Sequence, residues 1–197
     1  ADDYLKRSVR AYVYAVKDSD EKWKPMLPWM GEEEAYNDST LQQAWCYAAG
    51  NLFSTTGDQK YLEDFRKFKH LITDENRWDV DEEIFWTMQP WRIVWPVTCT
   101  RQNIDPNLRA ELKRHLITLA DRRLEYIEKQ GKAGYKVPSK NTGDWGQPSP
   151  MDFRNYGMIA WAYLLTKDAK YRDAVALSLD FVLGMNPTEM SWITGAG

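Results

Sequence analysis

The sequences TGDQKY (residues 56–61) and TKDAKY (residues 166–171) are two copies of one pattern. Each copy follows an apolar stretch with helical spacing and precedes an amphipathic one. In each copy the aspartate is placed to cap the second helix, and the tyrosine, Tyr61 or Tyr171, is placed to pack back on the first. The repeated pattern therefore predicts two antiparallel helix hairpins of the same design.

Apolar residues recur at helical spacing along the rest of the chain. The residues expected to be buried in the first helix and in the helix before residue 57 are Leu5, Val9, Tyr12 and Val16, then Leu41, Ala44, Trp45, Ala48 and Leu52. Gly57 is predicted to end the latter helix, and Asp105-Pro106 is a start signal for a long one. Pro90 and Pro96 are expected to interrupt the helix around them. No segment alternates as a strand does, so the predicted class is all-α, with about seven helices.

Helix hairpins of this kind bury their second face only against neighbouring hairpins. Hairpins repeated around a circle make an α/α toroid, and hairpins repeated in a line make a solenoid. Periodicity leaves both arrangements open. Residues 131–150 are rich in Gly, Pro, Ser and Asn, which predicts a long loop. Long loops within compact domains are often functional.

Composition excludes several classes of protein. The chain has 197 residues, 43% of them hydrophobic, and a net charge of −3, which argues against partners such as nucleic acid or an anionic membrane. No apolar run approaches the roughly 18 residues that a membrane span needs. Cys46 is predicted to be a buried thiol, and His70 and His115 are predicted to lie at helix surfaces. With only two histidines, we assign no metal ligand and no cofactor.

The aromatic content is high, at 14%, with ten tryptophans and eleven tyrosines. Flat aromatic rings stack on the apolar faces of sugars, but tryptophan also fills large helical cores. Composition alone does not decide between these two roles.

Several segments together resemble glycoside hydrolase family nine. The tail, LGMNP at residues 183–187 and SWITGAG at residues 191–197, is similar to that family's "LGxNPxxxSxxTGxG" signature. Residues 163–171 resemble its "AYxLTxDxKY" hairpin, residues 145–147 (WGQ) its "WGSN" loop, and residues 78–79 (WD) its "WDxK" turn. The tail is the most specific of these matches, and the order and approximate spacing agree over most of the chain.

The resemblance implies an (α/α)6 toroid, a six-hairpin barrel, that hydrolyses β-1,4-glucan with inversion. The family's base is an Asp in a "DAGDY"-like motif, and its acid is a Glu that follows an "HHR"-like motif. Neither motif is present here, so residues 1–197 are expected to be the central to C-terminal part of a catalytic domain, with no catalytic residue of their own. The expected partners are a β-glucan and the remaining part of the same domain. The expected location is secreted or periplasmic, and the fragment alone is expected to be inactive.

Four residues are predicted to contact substrate. By resemblance, Trp145 stacks on a glucosyl ring, and its position in a Gly- and Pro-rich loop favours that role over burial in a core. Trp78, Asp79 and Asp144 are the other candidates. The structural alternatives are that Asp79 caps a helix and that Asp144 stabilises a turn.

Two other classes of function stay open at this point. One is a non-catalytic α/α-repeat module that binds glycan or protein. The other is a different α/α-barrel enzyme, such as a polysaccharide lyase or an unsaturated-glucuronyl hydrolase, which needs a Tyr/His or an Asp constellation that this sequence does not present.

Overall fold

Seven helices make up most of the residues that the computed structural model describes, which are 2–17, 38–70, 90–130, 153–186, 189–191, 193 and 195. The helices are α1 (Asp2–Lys17), α2 (Asp38–Thr56), α3 (Gln59–Phe68), α4 (Pro90–Thr98), α5 (Pro106–Gln130), α6 (Phe153–Thr166) and α7 (Ala169–Leu183). These described ranges contain no strand. The all-α class with about seven helices is therefore confirmed.

The chain divides into two compact units. Unit 1 comprises Ala1–Arg77 and Trp86–Arg109, and it contains α1 to α4 and the first residues of α5. Unit 2 comprises Trp78–Phe85 and Ala110–Gly197, and it contains the rest of α5 together with α6 and α7.

The core of unit 1 forms where α2 packs against α3 and α4. Cys46, Ala49 and Phe53 are fully buried on one face of α2. Gly50 lies on that face too, and a Cβ there would be 3.1 Å from Cγ2 of Val97 in α4 and 3.3 Å from Cδ2 of Phe65 in α3. The absence of a side chain at Gly50 therefore lets three helices approach closely.

The buried face of α2 differs from the prediction. Leu52 is buried as expected, but Ala44 is exposed, and Trp45 and Ala48 are only half-buried. Because α2 carries apolar residues on most of its circumference, the pattern does not select one face, and the neighbours α3 and α4 decide which face becomes the core. Cys46 is a buried thiol, as predicted.

Tyr12 links helix α1 to α3 in unit 1. Tyr12 is buried and meets the Tyr61 ring edge to face, with ring centroids 5.4 Å apart. Its hydroxyl donates a 2.9 Å hydrogen bond to Oδ2 of Asp64. Leu5 and Val9 are half-buried on the same stripe, whereas Val16 is exposed, contrary to prediction.

Helix α4 begins at Pro90 and runs through Pro96 to Thr98. The expectation that Pro96 would interrupt this helix was wrong. Proline at this position removes one hydrogen bond to the carbonyl four residues earlier, that of Arg92. The helix ends two residues after the proline, so the lost hydrogen bond lies near its end.

In unit 2, both α5 and the hairpin of α6 and α7 contribute buried residues. The buried residues of α5 in this unit include Leu112, His115, Leu116, Leu119, Arg123 and Ile127. The prediction that His115 lies at a helix surface was wrong, because His115 is three residues after Leu112 and four before Leu119, on the same face of the helix. In the hairpin the buried residues are Met158, Ile159, Ala162, Tyr171, Ala174, Ser178, Phe181 and Val182.

Candidate functional site

The two repeated turns have the same hydrogen bonds, as the shared pattern predicted. The Thr56 hydroxyl accepts from the Asp58 N–H at 3.2 Å, and the Asp58 carboxylate accepts from the Lys60 N–H at 3.1 Å. In the second copy the matching distances are 3.1 Å and 3.0 Å. The backbone is left-handed at Gly57 (φ +75°) and at Lys167 (φ +60°). Each hairpin is therefore closed at one end by a tight turn.

A third connection lies at the same end of unit 1. Nε2 of Gln102, just beyond α4, donates a 3.3 Å hydrogen bond to the Ser54 carbonyl near the end of α2. Arg109 fixes this connection, because its guanidinium donates to the carbonyls of Thr98, Thr100 and Gln102 at 3.0, 3.0 and 3.2 Å. Helices α2 and α4 therefore end side by side and run parallel.

Because α2 and α4 run parallel, both begin at the opposite end of unit 1. Helix α3 ends there as well: Phe68 is 5.8 Å from Trp45 between ring centroids, and the Cys46 thiol donates to the Phe65 carbonyl at 3.6 Å. We call this the open end of unit 1. The chain leaves α3 and re-enters α4 at the open end.

Unit 2 has an open end of its own. The tight turn at residues 167–168 joins the end of α6 to the start of α7, so the start of α6 and the end of α7 lie together at the other end. The chain from residue 131 to residue 152 leads into α6 at this open end. The tail that begins at Gly184 leaves α7 from it.

The four predicted substrate residues lie outside the described residues. Trp78 and Asp79 fall between α3 and α4, and Asp144 and Trp145 fall between α5 and α6. Their roles therefore stay predictions. The described helices show only that α4 begins at the open end of unit 1 and that α6 begins at the open end of unit 2.

The tail of unit 2 is tied to the end of α7 by Asn186. Gly184 ends α7 with φ +132°, and the Met185 N–H donates to the Asp180 carbonyl at 2.9 Å. The Asn186 side chain is buried, and its Nδ2 donates to the carbonyls of Phe181 and Met190, both at 2.8 Å. The sequence pointed to Asn186 only as part of the tail signature, so its buried amide was missed.

Four of the described carboxylates have structural roles. Asp58, Asp105 and Asp168 accept backbone N–H groups at the starts of α3, α5 and α7. Asp64 accepts from Tyr12 and pairs with Lys67 at 2.6 Å. All four of these carboxylates are therefore engaged in helix caps, hydrogen bonds or ion pairs.

A fifth carboxylate, that of Asp121, links two helices of unit 2. Its Oδ1 accepts from the Tyr171 hydroxyl and from Nζ of Lys170, both at 2.7 Å. The Asp121 carboxylate raises the pKa of Lys170, and burial together with Asp121 raises the pKa of Tyr171. Both groups therefore keep their protons at neutral pH, which suits a structural link between α5 and α7.

Cys46 is unsuited to nucleophilic chemistry. Burial raises the pKa of its thiol to about 12, so the reactive thiolate is scarce at neutral pH. In the part of the chain that the structure describes, no three His, Cys, Asp or Glu side chains are grouped so that they could hold a metal ion. No helix there is long and apolar enough to cross a membrane.

A shallow groove occurs at the closed end of unit 1, among Gln59, Arg66, Asn103 and Asp105, with a volume of about 390 Å³. Its walls are polar and carry no aromatic ring. It therefore lacks the stacking surface expected of a sugar site.

Comparison with known proteins gives one family. The model of glycosyl hydrolase family 9 matches residues 1–197, the whole chain. A cellulose 1,4-β-cellobiosidase from Acetivibrio thermocellus is 26% identical over 179 residues, which cover 82% of this chain and 20% of that protein. A xyloglucan-specific endo-β-1,4-glucanase from Bacteroides ovatus is 25% identical over 202 residues, which cover 95% of this chain and 32% of that protein.

A solved structure of a family 9 enzyme has the same fold as this chain. The crystal structure of the family 9 endoglucanase J30 matches with a TM-score of 0.72 at 19% identity, over 96% of this chain and 33% of that one. The fold is therefore that of part of an (α/α)6-barrel enzyme, as the resemblance implied. The chain spans a fifth to a third of the length of these three proteins.

Proposed function

This chain belongs to glycosyl hydrolase family 9, and on that premise we propose that the protein containing it hydrolyses β-1,4-glucosidic bonds in cellulose or a related β-glucan. The observation that carries the proposal is the family match over all 197 residues. It is supported by two relatives whose names specify cleavage of 1,4-β-linked glucans. The reaction proceeds with inversion of the anomeric carbon.

Inversion needs two carboxyl groups about 6.5–9.5 Å apart, one to protonate the leaving oxygen and one to activate water. The five described carboxylates discussed above cap helices or bind neighbouring side chains. We therefore assign the catalytic Asp and Glu to other parts of the protein. This chain supplies barrel scaffold and the substrate-contacting residues Trp78, Asp79, Asp144 and Trp145.

The remaining part of the catalytic domain is the partner of this chain. Large apolar side chains are exposed on α1, the first helix, with Tyr4 at 76% and Tyr14 at 70%, and in the tail after α7, with Met185 at 68% and Met190 at 64%. Hairpin helices that lack a neighbour leave such faces uncovered. We assign the covering of these faces to the remaining polypeptide, and we expect the chain alone to be inactive.

The proposed location is secreted or periplasmic, because a polymeric substrate cannot enter the cell. The glycan contact is expected to be stacking of glucosyl rings on the predicted tryptophan residues.

The test is release of reducing sugar by the intact protein from soluble cellulose derivatives, mixed-linkage glucan and xyloglucan. Proton NMR of the first products distinguishes α from β anomers. We expect release from at least one substrate, with α-anomers formed from the β-linkage. Binding of these glycans without any release contradicts hydrolysis and favours the alternative of a non-catalytic α/α-repeat module. Products that retain the β configuration contradict the inverting mechanism.

A further inference from the structure

Helix α1 has little contact with the unit to which it belongs. Of its 16 residues only Tyr12 is buried, and Leu5 and Val9 on the same stripe are half-buried. A helix of about 15 residues is only marginally stable in water by itself, and most helical stability in proteins comes from packing. One buried side chain is a weak support for the whole helix, which therefore needs a second packing surface.

A second stripe runs along the side of α1 that faces away from Tyr12. Its four members follow one another at intervals of three, four and three residues, which places them on one face of the helix: Tyr4, Arg7, Ala11 and Tyr14. All four are exposed, Tyr4 by 76% and Tyr14 by 70%. Two large aromatic rings exposed on one face are typical of a surface that another molecule covers.

The charge beside this stripe is unequal. Arg10 and Lys17 lie along one edge of it, and both side chains are exposed. The carboxylate of Asp3, which is near the same edge, is paired with Arg7 at 2.9 Å. That edge therefore has an excess of positive charge. A surface that complements this face has an apolar centre and carboxylates along one margin.

We propose that the face of α1 formed by Tyr4, Arg7, Ala11 and Tyr14 is the docking surface for a helix of the remaining part of the catalytic domain, one with an apolar stripe and an acidic margin. Ample polypeptide exists to supply it, because this chain corresponds to 20% of the cellobiosidase and 32% of the xyloglucanase that it resembles. Stacked helix hairpins bury their second faces against one another. This inference rests on the proposed function, since it takes the partner from the same catalytic domain.

The first experiment is hydroxyl-radical footprinting of the intact protein, read by peptide mass spectrometry. It measures how fast each tyrosine ring is oxidised, which depends on its exposure. Buried Tyr12 is the protected reference, and the denatured protein gives the rate of an open ring. We expect Tyr4 and Tyr14 to be oxidised about as slowly as Tyr12 in the native protein, and all three to be oxidised rapidly in denaturant.

The acidic margin is tested with Arg10→Glu in the intact protein. A carboxylate placed against the carboxylates of the partner helix repels them, so the oxidation rate of Tyr14 should rise several-fold. Arg66→Glu is the matched control, because Arg66 is an exposed cation of α3 that lines the groove at the closed end of unit 1. It should leave the oxidation rate of Tyr14 unchanged. Equal rises in the two variants overturn the acidic margin.

Three results overturn the docking surface itself. Native oxidation rates of Tyr4 and Tyr14 that match the denatured rates show that the face is open. Protection that grows with protein concentration, together with a dimer mass from light scattering, assigns the face to a second copy. Protection that develops only when soluble β-glucan is added assigns it to the glycan, through stacking on the two rings.

The footprint needs no catalytic activity, so its failure and the failure of the proposed function are distinguishable. Protected tyrosines in a protein that releases sugar from no glucan support the docking surface and overturn the proposed function. Open tyrosines in a protein that hydrolyses glucan overturn the docking surface and leave the proposed function in place.

Discussion

The hydroxyl of Tyr171 donates a 2.7 Å hydrogen bond to Oδ1 of Asp121, and this bond links the second hairpin to the long helix α5. The matching tyrosine of the first hairpin, Tyr61, instead makes a T-shaped ring contact with Tyr12. The turns that place the two tyrosines share one set of hydrogen bonds. What each tyrosine then contacts depends on the helix beside it.

Replacing Tyr171 by phenylalanine should lower the free energy of unfolding by about 1 kcal/mol, because it removes one hydrogen bond to a carboxylate that is partly open to water. Chemical denaturation of the intact protein measures this. Tyr61→Phe is the control, since the ring contacts of Tyr61 with Tyr12 and Lys60 survive the change. Equal losses in both variants would contradict a specific role for the Asp121 bond.

Replacing Gly50 by alanine should destabilise the protein by about 1–3 kcal/mol, although alanine is the better helix former. The added methyl would lie 3.1 Å from Cγ2 of Val97 and 3.3 Å from Cδ2 of Phe65, two fully buried side chains with little room to move.

The Gly50 prediction is checked by a double-mutant cycle with Val97→Ala, in which thermal and urea denaturation give the four stabilities. We expect Gly50→Ala to cost less in the Val97→Ala background, because the crowding methyl groups of Val97 are gone. A cost that is independent of Val97, or a gain in stability for Gly50→Ala alone, would show that α2 and α4 can move apart at this point.

Asp58 should make stability depend on pH in the acid range. Hydrogen bonds from the Lys60 ammonium and from the Lys60 backbone N–H lower the pKa of Asp58 below its ordinary value of 3.8. Its contribution is therefore present above pH 3.8 and is lost as the pH falls through the lowered folded-state pKa.

The Asp58 prediction is measured as the difference in melting temperature between wild type and Asp58→Asn from pH 6 down to pH 2. Asparagine keeps the capping oxygen, so the change removes the charge with little loss of the cap. We expect the difference to be constant near neutral pH and to shrink as the solution becomes acid. A difference that does not change with pH would contradict the lowered pKa.

The two cysteines should differ in reactivity. Cys46 is buried with a thiol pKa of about 12, whereas Cys99 is exposed. Alkylation of the native protein at pH 8, followed by peptide mapping, should therefore modify Cys99 and spare Cys46. Alkylation in denaturant should modify both. Native modification of Cys46 at the rate of Cys99 would mean that α2 and α3 open readily around it.

Trp145 should contribute to the hydrolysis of polymeric glucans. If its indole stacks on a glucosyl ring, Trp145→Ala should lower kcat/KM on polymeric glucan about tenfold, and Trp145→Phe should retain most of the activity because a flat ring remains. Equal activity of Trp145→Ala and wild type on every glucan would remove Trp145 from the proposed cleft and favour the structural alternative.

Much of the local structure was predictable from the sequence. The aspartates Asp58, Asp105 and Asp168 cap the helices that they were expected to cap, and Gly57 follows the end of α2. The family resemblance of the tail and of the hairpin at residues 163–171 was confirmed by the family match. The positions of the predicted substrate residues in the long connections stay predictions.

The sequence by itself determined the starts of α3, α5 and α7 and the end of α2, because a cap or a glycine turn is made by hydrogen bonds between residues two to four positions apart. Only the tertiary structure decided which face of α2 is buried, that His115 faces inward and that the Asn186 amide joins the tail to α7. Each of these depends on a partner that lies on another element, or across a turn, and a helix with apolar residues on several sides carries no local signal for the side that its neighbours will cover.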